Sequence, residues 1–172
     1  MSLITKILVP AAMLFFGCSR KEQLPPPAYG DMREELIRMN KDKAEGEARE
    51  IDAFIAKKGL SMKETGTGLN YAIYHHGEGD SARNGDVALI RYSVSLLDGT
   101  LCYQTGTDEF EKFLIGQDQV ESGLHEGVKL LRAGDKAYFV LPSHLAFGLT
   151  GDRSKIPGDA SLFYDLELLA LE

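Results

Sequence analysis

Two stretches of this chain alternate apolar and polar residues, and they constrain the fold more than any other feature. Asp86–Leu97 (DVALIRYSVSLL) puts Ala88, Ile90, Tyr92, Val94 and Leu96 on one face. Leu162–Leu169 does the same with Leu162, Tyr164, Leu166 and Leu168. A period of two is the signature of a half-buried strand. Asp98-Gly99 closes the first stretch with a tight-hairpin signal, and Thr100–Thr105 reads as the returning strand. Asn70–His75, Phe113–Ile115 and Lys136–Leu141 read as further strands. Ser122–Arg132 has a different rhythm. Leu124, Val128 and Leu131 fall at i, i+4 and i+7, as in a short amphipathic helix, and Gly134 stands where a C-cap is expected. The expected fold is α+β: an antiparallel sheet wrapped around one short helix on its apolar face, with its other face in water.

The segment before this domain has another texture. Residues 31–59 form an expected helical leader, rich in Glu, Lys, Arg and Ala. Met32, Leu36 and Met39, and then Ala44, Ala48, Ile51 and Ile55, recur at helical spacing. Gly46 marks an expected break or kink, and Gly59, just past Lys57-Lys58, is the expected stop. The narrow apolar stripe permits a homodimer through the leader without requiring one. From Ser19 to Gly30 the chain is polar and then proline-rich, and Pro25-Pro26-Pro27 favours a semi-rigid polyproline II tether. Met1–Gly17 carries Lys6 and then an apolar run from Ile7 to Phe16, too short to span a membrane and patterned as an export signal. Leu14-Phe15-Phe16-Gly17-Cys18 resembles a bacterial lipobox, which implies cleavage before Cys18 and acylation of that residue. The alternative is an ordinary export signal with an incidental cysteine. The expected organisation is a lipoprotein signal at 1–17, a lipidated Cys18 and tether at 18–30, the helical leader at 31–59 and a compact domain at 65–172.

Composition narrows the function. Residues 19–58 hold nine acidic and nine basic side chains and Lys6 adds one positive charge, so with −7 overall the compact domain carries −8. Nucleic acid is excluded as a partner, because phosphate binding needs a basic footprint. Two cysteines support neither a disulfide framework nor a cysteine-rich zinc site. With Cys18 acylated, Cys102 is left as a small buried apolar residue rather than a nucleophile. His75-His76-Gly77-Glu78-Gly79-Asp80 fits a polar turn better than a metal loop, since adjacent histidines match no common zinc spacing. His125 and His144 have no evident partners. Gly148–Lys155 lacks the pattern of a phosphate-binding loop.

The domain carries an ordered set of markers: Gly85-Asp86-Val87, Tyr92, Leu97-Asp98-Gly99, Phe113-Leu114-Ile115-Gly116, Val120, Gly123, Glu126-Gly127-Val128, Gly134, Leu145-Ala146-Phe147-Gly148, Ile156-Pro157, Ala160 and Asp165-Leu166-Glu167-Leu168-Leu169. In this order and spacing they resemble the FKBP-type peptidyl-prolyl cis-trans isomerases. With the export signal and leader, the chain is similar to lipoprotein members of that family in Bacteroidetes, among them one associated with gliding motility. The resemblance implies proline-containing polypeptides as partners, a membrane reached through the lipid anchor, an envelope location with the outer membrane favoured by Ser19, and no metal or cofactor. Envelope-protein folding is the implied role; the alternative is a weakly catalytic chaperone or an assembly subunit of an envelope machine.

The family's pocket, carried over by alignment, falls on Tyr92, Cys102, Tyr103, Phe110 or its neighbour Glu111, Val120, Glu121, Leu124, Phe147, Ile156 and Tyr164. Tyr92, Val120 and Ile156 keep the family residue. Tyr164 replaces a Phe, Leu124 the Trp of the floor, and Cys102-Tyr103 a Phe-Asp pair. Phe147 replaces a Tyr and lacks its hydroxyl, and Glu121 replaces an Ile whose backbone amide makes the usual contact. The lost hydroxyl and carboxylate imply two missing polar anchors, each worth ~1 kcal/mol net. The expectation is an isomerase weaker than its family, binding macrolide inhibitors poorly.

Overall fold

The computed structural model describes residues 29–172. The segments expected to be an export signal, a lipidated Cys18 and most of the tether lie outside them; the last two residues of the expected tether, Tyr29 and Gly30, begin a helix instead. The chain divides into two compact units, Met1–Ile37 and Arg38–Glu172. In the first, the described residues are the opening turns of helix α1 (Tyr29–Lys58), where Met32, Leu36 and Ile37 are exposed.

The second unit is built on an antiparallel sheet of β1 (Lys63–Glu64), β2 (Asn70–His75), β3 (Val87–Leu96), β4 (Leu101–Gln104), β5 (Glu111–Leu114), β6 (Lys136–Leu141) and β7 (Leu162–Leu171). Strand order is β1-β2-β6-β7-β3-β4, and β5 also pairs with β3. The two alternating stretches of the sequence are adjacent strands, with Tyr92 opposite Leu166 and Val94 opposite Tyr164. Their apolar faces meet one core: Ala88, Ile90, Val94, Leu162, Tyr164, Leu166 and Leu168 are all buried.

Helix α2 (Ser122–Val128) covers that face, held close by its glycines. A methyl group on Gly123 would lie 2.7 Å from the Leu141 side chain, and one on Gly127 would lie 3.0 Å from the Phe139 ring. The helix is shorter than its apolar spacing suggests. After Val128 the chain tightens into i→i+3 bonds, with Leu130 N–H donating to Gly127 O and Leu131 N–H to Val128 O. Leu131 therefore reaches the core without belonging to the helix. Gly134 is not its C-cap; it sits in the turn into β6, where its N–H donates to Leu168 O.

Two expectations about α1 are corrected. Gly46 does not break it, because the helix runs unbroken to Lys58. Its neighbours Ala44, Glu45, Glu47 and Ala48 are strong helix formers, and they offset the cost of about 1 kcal/mol for an internal glycine. Nor is the second sheet face left in water. Ile51 and Phe54 of α1 pack with Val140 and Phe163 into a second cluster on that face, the two Phe rings lying 5.2 Å apart. The C-terminal part of the leader's apolar stripe is thus used within the domain. The expected stop does hold: Gly59 has φ 67°, its N–H donates to Ala56 O, and Leu60 N–H donates to Ile55 O. That pair of bonds is a Schellman motif, which glycine's positive φ permits.

Polar bonds join α1 to the segment between β6 and β7. One Glu47 carboxylate accepts from Ser143 N–H (2.5 Å), Ser143 Oγ (3.2 Å) and Ser161 Oγ (2.6 Å). One turn earlier, Lys43 pairs with Asp159 at 2.5 Å. Ser143, Ser161 and Asp159 flank the stretch that supplies one wall of the cavity described next.

Candidate active site

At one end of the sheet a cavity of about 650 Å³ opens between β3, β4, β5, the start of α2 and the 142–161 segment. Tyr92, Val94, Tyr103, Glu111, Gln119, Val120, Glu121, Ala146, Phe147, Asp152 and Tyr164 line it. Tyr92 comes from the core-facing side of β3 and Tyr164 from β7, and their rings lie 5.8 Å apart.

The residues expected at the site divide into two groups. Tyr92, Tyr103, Val120, Glu121, Phe147 and Tyr164 line the cavity together. Phe110, Cys102, Leu124 and Ile156 do not. Phe110 is 49 % exposed, with the Lys112 ammonium over its ring, and the β5–β3 register sets Glu111, not Phe110, opposite Ile90. Of the two aligned alternatives it is Glu111 that faces the cavity. Cys102 alternates away from Tyr103 on β4 and is buried, its Sγ 3.7 Å from Thr100 O. Burial pushes its thiol up and leaves it un-ionised. Leu124 and Ile156 are buried in the core against which Tyr92, Val120 and Phe147 pack, so they back the cavity rather than line it.

Sequence reasoning missed Val94, Gln119, Ala146 and Asp152. Asp152 matters most. Its Oδ1 accepts from Ser154 N–H and Ile156 N–H, each at 2.8 Å, and its other oxygen accepts from the Tyr103 hydroxyl. The Tyr103 hydroxyl bond, with the backbone donors behind it, holds the Asp152 carboxyl down at about 2. The cavity thus holds one hydroxyl from Tyr103 and one carboxylate from Asp152, bonded to each other.

The other two tyrosines are paired in the same manner. Tyr92 donates to Glu111 at 3.0 Å and Tyr164 to Glu121 at 2.7 Å. Burial first, then the facing Glu111 and Glu121 carboxylates, raise the Tyr92 and Tyr164 phenols above their ordinary value. All three hydroxyls, including that of Tyr103, are already engaged as donors to carboxylates.

The loop that brings Gln119, Val120 and Glu121 to the cavity is fastened by a residue that had shown no partner in sequence. His125 accepts from Gly116 N–H at Nδ1 (2.9 Å), so its Nε2–H donates to Asp118 O (3.0 Å), while its ring meets Phe113 edge-on. His144 is likewise engaged, with Nε2 3.0 Å from Thr67 O.

A seven-stranded antiparallel sheet closed over one short helix, with an aromatic cavity at its end, is the architecture expected from the family markers. The family model described as FKBP-type peptidyl-prolyl cis-trans isomerase matches residues 79–169, more than half of the chain. The chain belongs to that family. Among curated relatives it is 38% identical over 135 residues to the FKBP-type peptidyl-prolyl cis-trans isomerase FkpA of Aeromonas hydrophila, covering 77% of this chain and 49% of that one. It is 30% identical over 156 residues to a probable FKBP-type peptidyl-prolyl cis-trans isomerase of Haemophilus influenzae, covering 87% and 64%. The chain thus spans about half to two thirds of the length of these relatives. Among solved structures, the crystal structure of FkpA from Escherichia coli superposes with a TM-score of 0.66 at 30% identity, over 80% of this chain and 64% of that one.

Proposed function

We propose that this chain is a peptidyl-prolyl cis-trans isomerase that helps exported or envelope polypeptides to fold, with a turnover below the family's usual level. The observation that carries this reading is the cavity: an open hollow of about 650 Å³, roomy enough for a prolyl residue and its neighbours, walled by Tyr92, Val120, Phe147 and Tyr164 in a chain of this family. Rotation about an X-Pro bond faces a barrier of ~18–20 kcal/mol, because twisting the amide abolishes its resonance. The planar amide is the more polar form, so an apolar, water-poor wall favours the twisted one differentially. No nucleophile or cofactor is needed. Oriented donors to the carbonyl add to the effect, and here the three hydroxyls are already given to Glu111, Glu121 and Asp152. That prior engagement supports the reduced turnover. It also supports poor binding of macrolide inhibitors that need a free hydroxyl.

A catalytically weak chaperone or envelope-assembly subunit is the second reading, favoured by the two glutamates on the cavity wall. The lipobox-like segment ending at Cys18 supports a lipid-anchored envelope protein of the Bacteroidetes lipoprotein type, for which a gliding role is one candidate. Met32, Leu36 and Met39, exposed at helical spacing on α1, support pairing of two leaders. Exchange between the cis and trans forms of a proline peptide, measured beside suppression of aggregation of a proline-free client, separates the two readings. Accelerated exchange abolished by Tyr92→Ala supports the enzyme. Suppressed aggregation without acceleration supports the chaperone.

A further inference from the structure

The cavity is not only aromatic; it is anionic. Three carboxylates, Glu111, Glu121 and Asp152, line it beside the rings of Tyr92, Tyr103, Phe147 and Tyr164, and among the described residues no Lys or Arg does. Two lysines beside the wall are committed elsewhere, and Arg153, next to Asp152, is exposed and is not among the lining residues. Lys112, next in sequence to Glu111, pairs with the Glu172 carboxylate at 2.9 Å. Lys155 donates to Cys102 O at 2.8 Å and rests over the Tyr103 ring at 4.7 Å. That last contact shows one of these rings already accepting an ammonium group.

Two independent properties of the wall therefore select the same ligand charge. Ring faces attract a cation through their quadrupole, and most strongly where water is partly excluded. A cleft lined by charge of one sign concentrates its field inward. The hydroxyls of Tyr92 and Tyr164 each bond one oxygen of Glu111 or Glu121, and among the described residues the other oxygen takes no hydrogen bond. Asp152 is fully engaged and contributes charge alone.

Resting on the isomerase reading, we infer that this pocket selects prolines flanked by a basic residue, Lys or Arg, with Glu111 and Glu121 as the specificity-determining groups. An acidic neighbour is repelled and an aliphatic one is accepted less well.

The test uses the intact chain and four short peptides that differ only beside the proline: lysine, norleucine, leucine or glutamate. Norleucine keeps the lysine stem without its charge. Binding is read by NMR titration and turnover by cis-trans exchange on the same samples. The lysine peptide is expected to bind about fivefold tighter than the norleucine peptide, and the glutamate peptide weakest. The gap is expected to shrink at about 0.5 M salt, where the screening length falls to a few ångströms. Glu111→Gln and Glu121→Gln are each expected to narrow the lysine-to-norleucine ratio. Equal or weaker binding of the lysine peptide to the unaltered protein overturns the inference, whatever the variants do. Turnover of all four peptides without regard to charge overturns the inference and leaves the isomerase reading standing. Failure of every peptide to bind or exchange overturns both.

Discussion

Every tyrosine on the cavity wall donates its hydroxyl to a carboxylate, and this sets how the site responds to pH. For Tyr92 and Tyr164 the folded phenol is raised, so its protonated form belongs to the folded state. Stability from these groups is complete below the ordinary phenol value near ~10 and falls as pH rises above it. Titrated by ultraviolet absorbance, Tyr92 and Tyr164 are expected to ionise only as the protein unfolds in alkali; early ionisation of either contradicts the pairing. Asp152 runs the other way. Its carboxyl is lowered to about 2, so its contribution is present above the ordinary carboxylate value near ~3.9 and lost as pH falls through the folded one. Asp152→Ala removes the acceptor for Ser154 and Ile156. Hydrogen exchange at those two amides is expected to accelerate while exchange in β6 and β7 stays slow. At this scale much of the site was legible: Tyr92, Val120, Phe147 and Tyr164 follow from strand alternation and aligned markers. Glu111 against Phe110 was not, because a one-residue slip exchanges the faces of a strand and only the β5–β3 pairing fixes the register. Asp152 was missed because a carboxylate in a glycine-bearing loop reads as a turn former until the loop is seen folded back on Tyr103.

Among the elements, α1 was misread most. Its periodicity gave the helix, but not what its stripe would meet. A narrow stripe suits a partner chain or a sheet face equally, and here Ile51 and Phe54 cover Val140 and Phe163. Phe54→Ala is expected to cost about 3 kcal/mol in urea unfolding, the range for deleting a buried aromatic ring. The Glu47 carboxylate holds Ser143 and Ser161, at either end of the segment that carries Ala146, Phe147 and Asp152 to the cavity. Glu47→Ala leaves buried donors without an acceptor, a loss of about 2–3 kcal/mol, whereas Glu47→Gln keeps a carbonyl in place and is expected to lose less. No loss in Glu47→Ala would show that the bonds contribute nothing. The short α2 was legible from its apolar spacing, but its end was not, since Leu131 buries its side chain from a 3₁₀ turn rather than from a further helical turn.

Taken whole, residues 38–172 bury both faces of one sheet, one under α2 and the other under α1. A helix that supplies core to the sheet unfolds with it. Far-ultraviolet and near-ultraviolet signals are therefore expected to follow a single urea transition for this unit, and loss of helical signal ahead of the tyrosine signal would contradict that. The most direct test of the central claim, that the cavity takes in a prolyl ring and eases rotation about its amide, is two-dimensional exchange NMR on a leucyl-proline peptide with the intact protein and its Phe147→Ala and Tyr92→Ala variants. The account predicts saturable acceleration of exchange, amide shifts confined to the residues lining the cavity, and loss of acceleration in both variants. Acceleration that survives both substitutions, or shifts that map to another surface, would contradict it.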